Sequence, residues 1–409
     1  MNKTSKSAFL AIALAGCAAT GSALAATTIA IDSVVQRWPW NNKVDITYTI
    51  VGGQDVSSGN YQRIVFTTVI AGMTYAIDGV KDVGASANTG THTVTWTLPV
   101  GVKSTDCTMS AAVYTSDTPS GDDYMVIDLT KTTDNVTYEG LLATQDASNS
   151  RYNTDAYKTD KLVLRKVPAG GTSPTGDSTN YSTVNSATTW TTDRDYYIGV
   201  FPVTQYQYNL VYGSNPSAKK SVIEGNEVDH RPVETVSWEE LRLSTTSPTS
   251  SIPTVASNTG TFFQRLNYAT GNKYGFDLPT EVMFEIAERA GATTVYYWGD
   301  TANASYVVCS ENCGSSTVAV GSRLPNAWGL YDTTGNVWEL CLDDNVSGNM
   351  AARTDAFAAA WASGTNRRIR GGYWANALDN ANFRASCSNS ASISSKGHNI
   401  GFRVSVIVD

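Results

Sequence analysis

The sequence predicts an α+β protein in which an all-β sandwich precedes a larger, loop-rich mixed domain. Three observations predict it. Residues 27–145 alternate apolar and polar side chains at the two-residue period of strands, between clusters of Gly, Ser and Asp. From about Asp195 onward, four short stretches switch to helical spacing behind Thr or Ser caps. The 409-residue chain holds only 16% charged residues against 10% aromatic and 33 Gly. That length suits two or three domains, and the mix suits turn-rich folds.

The N-terminus has the form of a leader, read here as a signal peptide over 1–25. Lys3 and Lys6 form a positive start, Ala8 to Gly16 an apolar middle, and Ala23-Leu24-Ala25 a small-x-small cleavage signal. Leu14-Ala15-Gly16-Cys17 resembles a bacterial lipoprotein box, which offers a lipid anchor at Cys17 as the alternative. No other run is long and apolar enough to cross a bilayer, so no transmembrane segment is expected. The expected location is extracytoplasmic: secreted, periplasmic or on a bacterial cell surface. Net charge is −8, and removing two lysines with the leader makes it −8 − 2 = −10. Scattered cations on an acidic chain give no footprint for nucleic acid. Five cysteines would remain after cleavage, Cys107, Cys309, Cys313, Cys341 and Cys387. Cys309 and Cys313 are close enough in sequence to pair as a loop staple.

Within 27–145, Val44, Ile46, Tyr48 and Ile50 share one face of a strand, and Asp45, Thr47 and Thr49 the other. Ile64 to Tyr75, His92 to Leu98 and Met109 to Tyr114 read as further strands of an immunoglobulin- or fibronectin-like sandwich. Trp38 and Trp40 read as core or edge packing. Residues 146–160 are polar and read as a linker, 161–409 as the second domain, and Thr172 to Thr189 as a long surface loop. Leu162 to Val167 and Tyr196 to Phe201 are strands. Helices are expected behind Thr204, Ser237, Thr261 and Thr280. The last has Met283, Phe284, Ile286 and Ala287 as its apolar face. In Asn326 to Glu339, Trp328, Leu330 and Tyr331 suggest a buried strand before a tight turn at Gly335-Asn336.

Gly329 to Glu339, read GLYDTTGNVWE, resembles the signature of the formylglycine-generating enzyme (sulfatase-modifying factor) family. Four further stretches resemble it in the same order: Tyr197 to Gln205; Arg231 to Trp238; Leu278 to Glu281 running to Arg289-Ala290-Gly291; and Arg370-Gly371-Gly372 with Ile400 to Val404. The resemblance covers roughly the last 250 residues. It implies an irregular α+β fold related to C-type lectins. It also implies a structural calcium site on Asp332, Gly335, Val337 and Glu339, two carboxylates and two main-chain carbonyls of the kind Ca²⁺ takes. A second family site would begin at Asn303 and Ala304.

Family enzymes convert a substrate cysteine to formylglycine with copper held by two cysteines, because soft thiolates suit Cu(I). Here those two positions fall on Asn376 and Ala381, so the resemblance implies no catalytic residues and makes copper unlikely. The three histidines, His92, His230 and His398, do not cluster in sequence. The reading is of a catalytically silent family member that binds a protein or glycan through C-terminal loops. Trp374, Asn376, Asp379, Asn380 and Asn382 are the ligand-contact candidates, since small polar groups on loops make adaptable contacts. The alternatives are a formylglycine-generating oxidoreductase and a structural envelope protein.

Overall fold

The computed structural model describes residues 27–37, 43–52, 61–70, 73–79, 89–98, 102–116, 122–132, 134–140, 150–169, 172–176, 188–219, 230–243, 252–345, 355–359 and 364–408. The leader with Cys17, and Trp38 and Trp40, lie outside the described residues. Two compact units emerge, one over Met1–Gly121 with Glu139–Leu142, the other over Asp122–Tyr138 with Ala143–Asp409.

The first unit carries β1 (Thr28–Gln36), β2 (Lys43–Val51), β3 (Tyr61–Ile70), β4 (Met73–Asp78), β5 (Gly90–Thr97) and β6 (Ser110–Ser116). They form two antiparallel three-stranded sheets, β1-β2-β5 and β4-β3-β6. One core joins the sheets: Val44, Ile46, Tyr48 and Ile50 from β2 meet Ile64 and Phe66 from β3. The period-2 pattern of β2 therefore put its apolar face where the sequence placed it. The single strand expected from Ile64 to Tyr75 is instead a β3–β4 pair with Ile70 opposite Met73.

The second unit opens earlier than the sequence suggested. It continues with β7 (Tyr124–Asp128), β8 (Val136–Glu139), β9 (Lys161–Val167), β10 (Thr172–Thr175), β11 (Thr188–Thr191) and β12 (Asp195–Gly199). Helices α1 (Gln205–Tyr212), α2 (Trp238–Arg242), α3 (Phe262–Ala269) and α4 (Glu281–Arg289) follow. Last come β13 (Trp338–Asp344), β14 (Asn366–Arg370), β15 (Ser388–Ser392), β16 (Ile400–Gly401) and β17 (Ser405–Val408). The larger sheet has the order β17-β12-β9-β7-β8. β7 and β8 lie in the stretch read as sandwich, yet β7 pairs antiparallel with β9. Alternation alone names a strand but not its sheet.

Two other stretches depart from the sequence reading. Of the polar 146–160 stretch, residues 150–160 are folded rather than linking. Tyr152 is fully buried against Tyr124 and Tyr157, with ring centroids 4.3 and 4.9 Å away. Within the expected Thr172–Thr189 loop, β10 pairs with β11.

All four expected helices form, those behind Thr204, Ser237 and Thr280 on their expected caps. Thr204, Ser237 and Thr261 close reciprocal capping boxes with Gln207, Glu240 and Gln264. Thr280 accepts from the Met283 N–H, and α4 ends with Ala290 in the left-handed region at φ 47°. Aromatic packing among α1, α3 and the segment between β16 and β17 anchors the core. Tyr208 stacks on Phe262 at 5.1 Å, and Phe402 meets Phe262 edge-on at 5.0 Å. The smaller sheet, β15-β14-β13-β16, pairs β13 antiparallel with β14 and parallel with β16. It supports the candidate site.

Candidate functional site

The floor of the site is built by α4, β13 and β14. A helix with one apolar stripe was expected; instead every residue of α4 is buried, its charged ones included. The reason is a set of arginines that meets the helix acids. Arg370 of β14 donates to Glu285 Oε2 at 2.6 Å, and Arg289 Nε to Glu285 Oε1 at 2.9 Å. Burial works against the Arg370 charge, but Glu285, Glu281 and Glu288 outweigh it and hold the guanidinium protonated. Among the described residues Glu288 forms no ion pair with an arginine, and it accepts from the Thr334 hydroxyl at 2.9 Å. Burial pushes its carboxyl up to about 8.

Asn326 closes the C-terminal end of this helix. Its amide donates to the carbonyls of Ala287 and Glu288 at 2.7 and 2.9 Å, and its Oδ1 accepts from Trp328 N and Leu330 N, both at 3.0 Å. This explains why Trp328 to Tyr331 is not a strand. The side chain of Asn326 binds the backbone groups a sheet would have used, and Leu330 and Tyr331 are buried as loop. Nothing in the sequence marked Asn326 beyond its place after Pro325.

The four residues read as calcium ligands lie close together in sequence, and the oxygens of Asp332, Gly335 and Glu339 are engaged. Glu339 is buried, and Arg403 donates to both its oxygens, Nε at 2.7 Å and Nη2 at 2.6 Å. Burial pushes the Glu339 carboxyl above its ordinary range, and Arg403 opposes the shift. The same guanidinium reaches Gly199 O at 2.8 Å and Tyr331 O at 3.1 Å. Asp332 Oδ2 accepts from Gly321 N at 2.6 Å, and Oδ1 from the Asn336 amide at 3.4 Å. Gly335 O accepts from Val337 N at 2.9 Å. Calcium needs six to eight oxygens free to turn inward. A guanidinium already sits where the Glu339 carboxylate would meet the ion, so this donor set does not fit calcium as it stands. At the proposed start of a second cation site, Asn303 Oδ1 accepts from Ser305 N at 3.0 Å and Ala304 O from the Asn312 amide at 3.4 Å. Among the described residues no group of three His, Cys, Asp or Glu side chains could hold a metal.

Two glycine turns hold the loop over this floor. Gly335 (φ 84°) approaches the Val308 backbone so closely that a Cβ would collide with it. Gly371 (φ 90°) leaves its would-be Cβ 2.6 Å from Thr333 O, and its own carbonyl accepts from Gly335 N at 2.8 Å. Only residues tolerant of positive φ serve at such points.

The expected contact residues divide into floor and rim. Trp374 is only 8% exposed. Its Nε1 donates to His398 O at 3.3 Å, and the Lys219 ammonium stands 4.8 Å from the ring centroid. Asn376 is also 8% exposed, with Oδ1 accepting from Tyr373 N at 3.1 Å. These two position the loop. Asp379 is exposed, and Asn380 and Asn382 are half-buried. Asn380 caps a short 3-10 turn, Ala381–Phe383, by accepting from Asn382 N at 2.9 Å. Ala381, at the other position assigned to a catalytic thiol, is half-buried in that turn. Cys309 and Cys313 are separate thiols rather than a disulfide. Cys313 Sγ lies 3.3 Å from Trp374 O. Cys387 Sγ lies 3.7 Å from Asn382 Oδ1.

A profile of the sulfatase-modifying factor enzyme 1-like domain matches residues 153–407, more than half of the chain. The chain belongs to this family. Over 144 residues it is 32% identical to a formylglycine-generating enzyme of Streptomyces coelicolor, covering 32% of this chain and 46% of the enzyme. The match thus spans less than half of that enzyme's length. Over 234 residues it is 27% identical to the chaperone protein LppX of Paenibacillus barcinonensis, covering 49% of this chain and 76% of the chaperone. Among solved structures, Treponema denticola variable protein 1 aligns at TM-score 0.49 and 24% identity, over 60% of this chain and 95% of that one. PvdO from Pseudomonas aeruginosa aligns at TM-score 0.47 and 21% identity, over 60% and 94%. No helix among the described residues of this family member is long and apolar enough to cross a membrane.

Proposed function

We propose that this family member is a ligand-binding protein that has lost the oxidase chemistry, and that it takes a protein or glycan ligand on its 373–382 loop. One observation carries the reading. The two positions assigned by family resemblance to copper-binding thiols hold Asn376 and Ala381, and Asn376 spends its side-chain oxygen on Tyr373 N–H. An amide and a methyl cannot hold Cu(I) as two thiolates would. The exposed and half-buried groups that remain on the loop, Asp379, Asn380 and Asn382, offer acceptors and donors suited to hydroxyls or peptide groups. The leader-like N-terminus supports an extracytoplasmic setting, and the LppX relative is in keeping with it.

The test is direct. Purified full-length protein is incubated with Cu(I), oxygen and a cysteine peptide of sulfatase type, and aldehyde is measured by mass. No aldehyde is expected; stoichiometric copper uptake with aldehyde formation would restore the oxidase reading, which the Streptomyces relative favours. In parallel, the protein is screened against immobilised glycans and envelope proteins. Any ligand found is expected to be lost in Asp379→Ala without a change in melting temperature. Binding that survives that change would place the ligand elsewhere.

A further inference from the structure

The candidate loop is held down by a second loop, 309–313, through three contacts. Ser310 N–H donates to Asn376 O at 2.9 Å. Leu378 N–H donates to Glu311 Oε1 at 3.1 Å. The Cys313 thiol lies against Trp374 O at 3.3 Å. The other thiol of this short loop, Cys309, hydrogen-bonds with Glu311. Both thiols are buried, but in different apolar clusters. Cys309 packs with Tyr296, Val307 and Phe383, whereas Cys313 packs with Val308 and Trp374.

We infer that Cys309 and Cys313 are a reversible oxidation site whose disulfide unlatches the 309–313 loop from the 374–378 loop. The geometry supplies the coupling. A disulfide brings two Cβ atoms to about 3.5–4.5 Å. The S–S bond also consumes both S–H groups, so Cys313 can no longer donate to Trp374 O nor Cys309 to Glu311. When Cys313 is the one to move, Trp374 O loses its thiol donor inside a buried environment, and a buried acceptor without a partner is costly. When Cys309 moves, Glu311 loses the neighbour that holds it toward Leu378 N–H. The backbone after Cys313 can turn, because Gly314 (φ 61°) meets nothing within 4 Å of its would-be Cβ.

The chemistry balances with a small disulfide such as oxidised glutathione as oxidant. The Cys313 thiolate attacks one sulfur of the oxidant, forming a mixed disulfide and expelling one glutathione thiolate. The Cys309 thiolate then displaces the second. The protein dithiol loses two electrons and two protons, and the oxidant becomes two thiols. The Cys309 thiol, pushed up to about 11 by burial and by Glu311, is the poorer first nucleophile.

As a regulatory device this rests on the 373–382 loop being the binding surface; as a structural event it does not, and the experiment separates the two. Full-length protein is equilibrated in dithiothreitol or in oxidised glutathione. Intact mass and a peptide map locate any disulfide, and hydrogen exchange is read at the Ser310 and Leu378 amides. Oxidation is expected to remove two hydrogens, to link 309 to 313, and to speed exchange at both amides by about tenfold, the loss of roughly one such hydrogen bond. Cys313→Ser, which keeps a donor for Trp374 O, is expected to show the reduced pattern in both media. Cys313→Ala is expected to lose protection even in reductant, and Cys309→Ser to stop at a glutathione mixed disulfide on Cys313, with no internal link. No 309–313 linkage, linkage to another cysteine, or linkage with both amides still protected overturns the inference. None of these readings needs a ligand, so failure of the binding proposal leaves them interpretable.

Discussion

The floor and the rim of the candidate site are built from opposite materials. Beneath, Glu285, Arg370, Glu339 and Arg403 are fully buried charges joined by short, multiply bonded pairs. Above, the 373–382 loop is held by single hydrogen bonds to Ser310, Glu311, Asn380 and Cys313, with its tip at Asp379 in solvent. A buried ion pair is no cheap source of stability, yet removing one partner strands the other. The floor therefore tolerates almost no change, and the rim tolerates much.

The largest effect that could break this contrast is on the floor. Arg403→Ala strands the Glu339 carboxylate and leaves Gly199 O and Tyr331 O without their donor. A loss of about 3–5 kcal/mol is expected in chemical denaturation. A loss below about 1 kcal/mol would mean the clasp is not what fixes β13. Gly335→Ala forces an L side chain to φ 84° against the Val308 backbone. The strain alone is worth roughly 1–3 kcal/mol, and the collision adds to it.

Glu288 sharpens the comparison from another side, as a floor carboxyl that forms no ion pair among the described residues. Its folded value of about 8 lies above the ordinary 4.5, so the folded chain keeps a proton that the unfolded chain has already released. The stability it contributes is fully present below pH 4.5 and is lost as pH rises toward 8. Glu288→Gln is expected to flatten that decline in a series of melts across the same window. A mutant that declines as steeply as the parent would assign the pH dependence to other groups.

Smaller still is the cap of α4. Thr280→Ala removes the acceptor for Met283 N–H and the donor to Ala356 O, and about 1 kcal/mol or a little more is expected. At the rim, Asp379→Ala is expected to change stability by less than about 0.5 kcal/mol. Calcium or a chelator is expected to leave the melting temperature where it was, because Arg403 already fills the oxygens of Glu339. A clear upward shift with calcium would show that the clasp opens to admit the ion.

Much of this was legible in the sequence for local reasons. Thr204, Ser237, Thr261 and Thr280 each stand directly before a helical spacing, and capping is a contact between residues two or three apart. Val44 to Ile50 spelled out a buried face because strand periodicity is local as well. The motif from Gly329 to Glu339 and its companions pointed to the family, and the resemblance set Asn376 and Ala381 at its two thiol positions.

What the string could not show were partnerships across long separations. Arg403 and Glu339 are 64 positions apart, Arg370 and Glu285 are 85, and Asn326 reaches Ala287 across 39. Glu339 was read as an oxygen ligand with a salt bridge as the alternative, and α4 as a helix with one apolar face. Neither reading could name the arginine, because a charged residue carries no sign of whether water or an arginine will meet it. Local order was written into the chain by neighbouring side chains competing for nearby backbone groups. Which charges share an interior, which strands β7 and β8 would join, and how the 309–313 loop grips the rim were settled only when distant segments excluded water together.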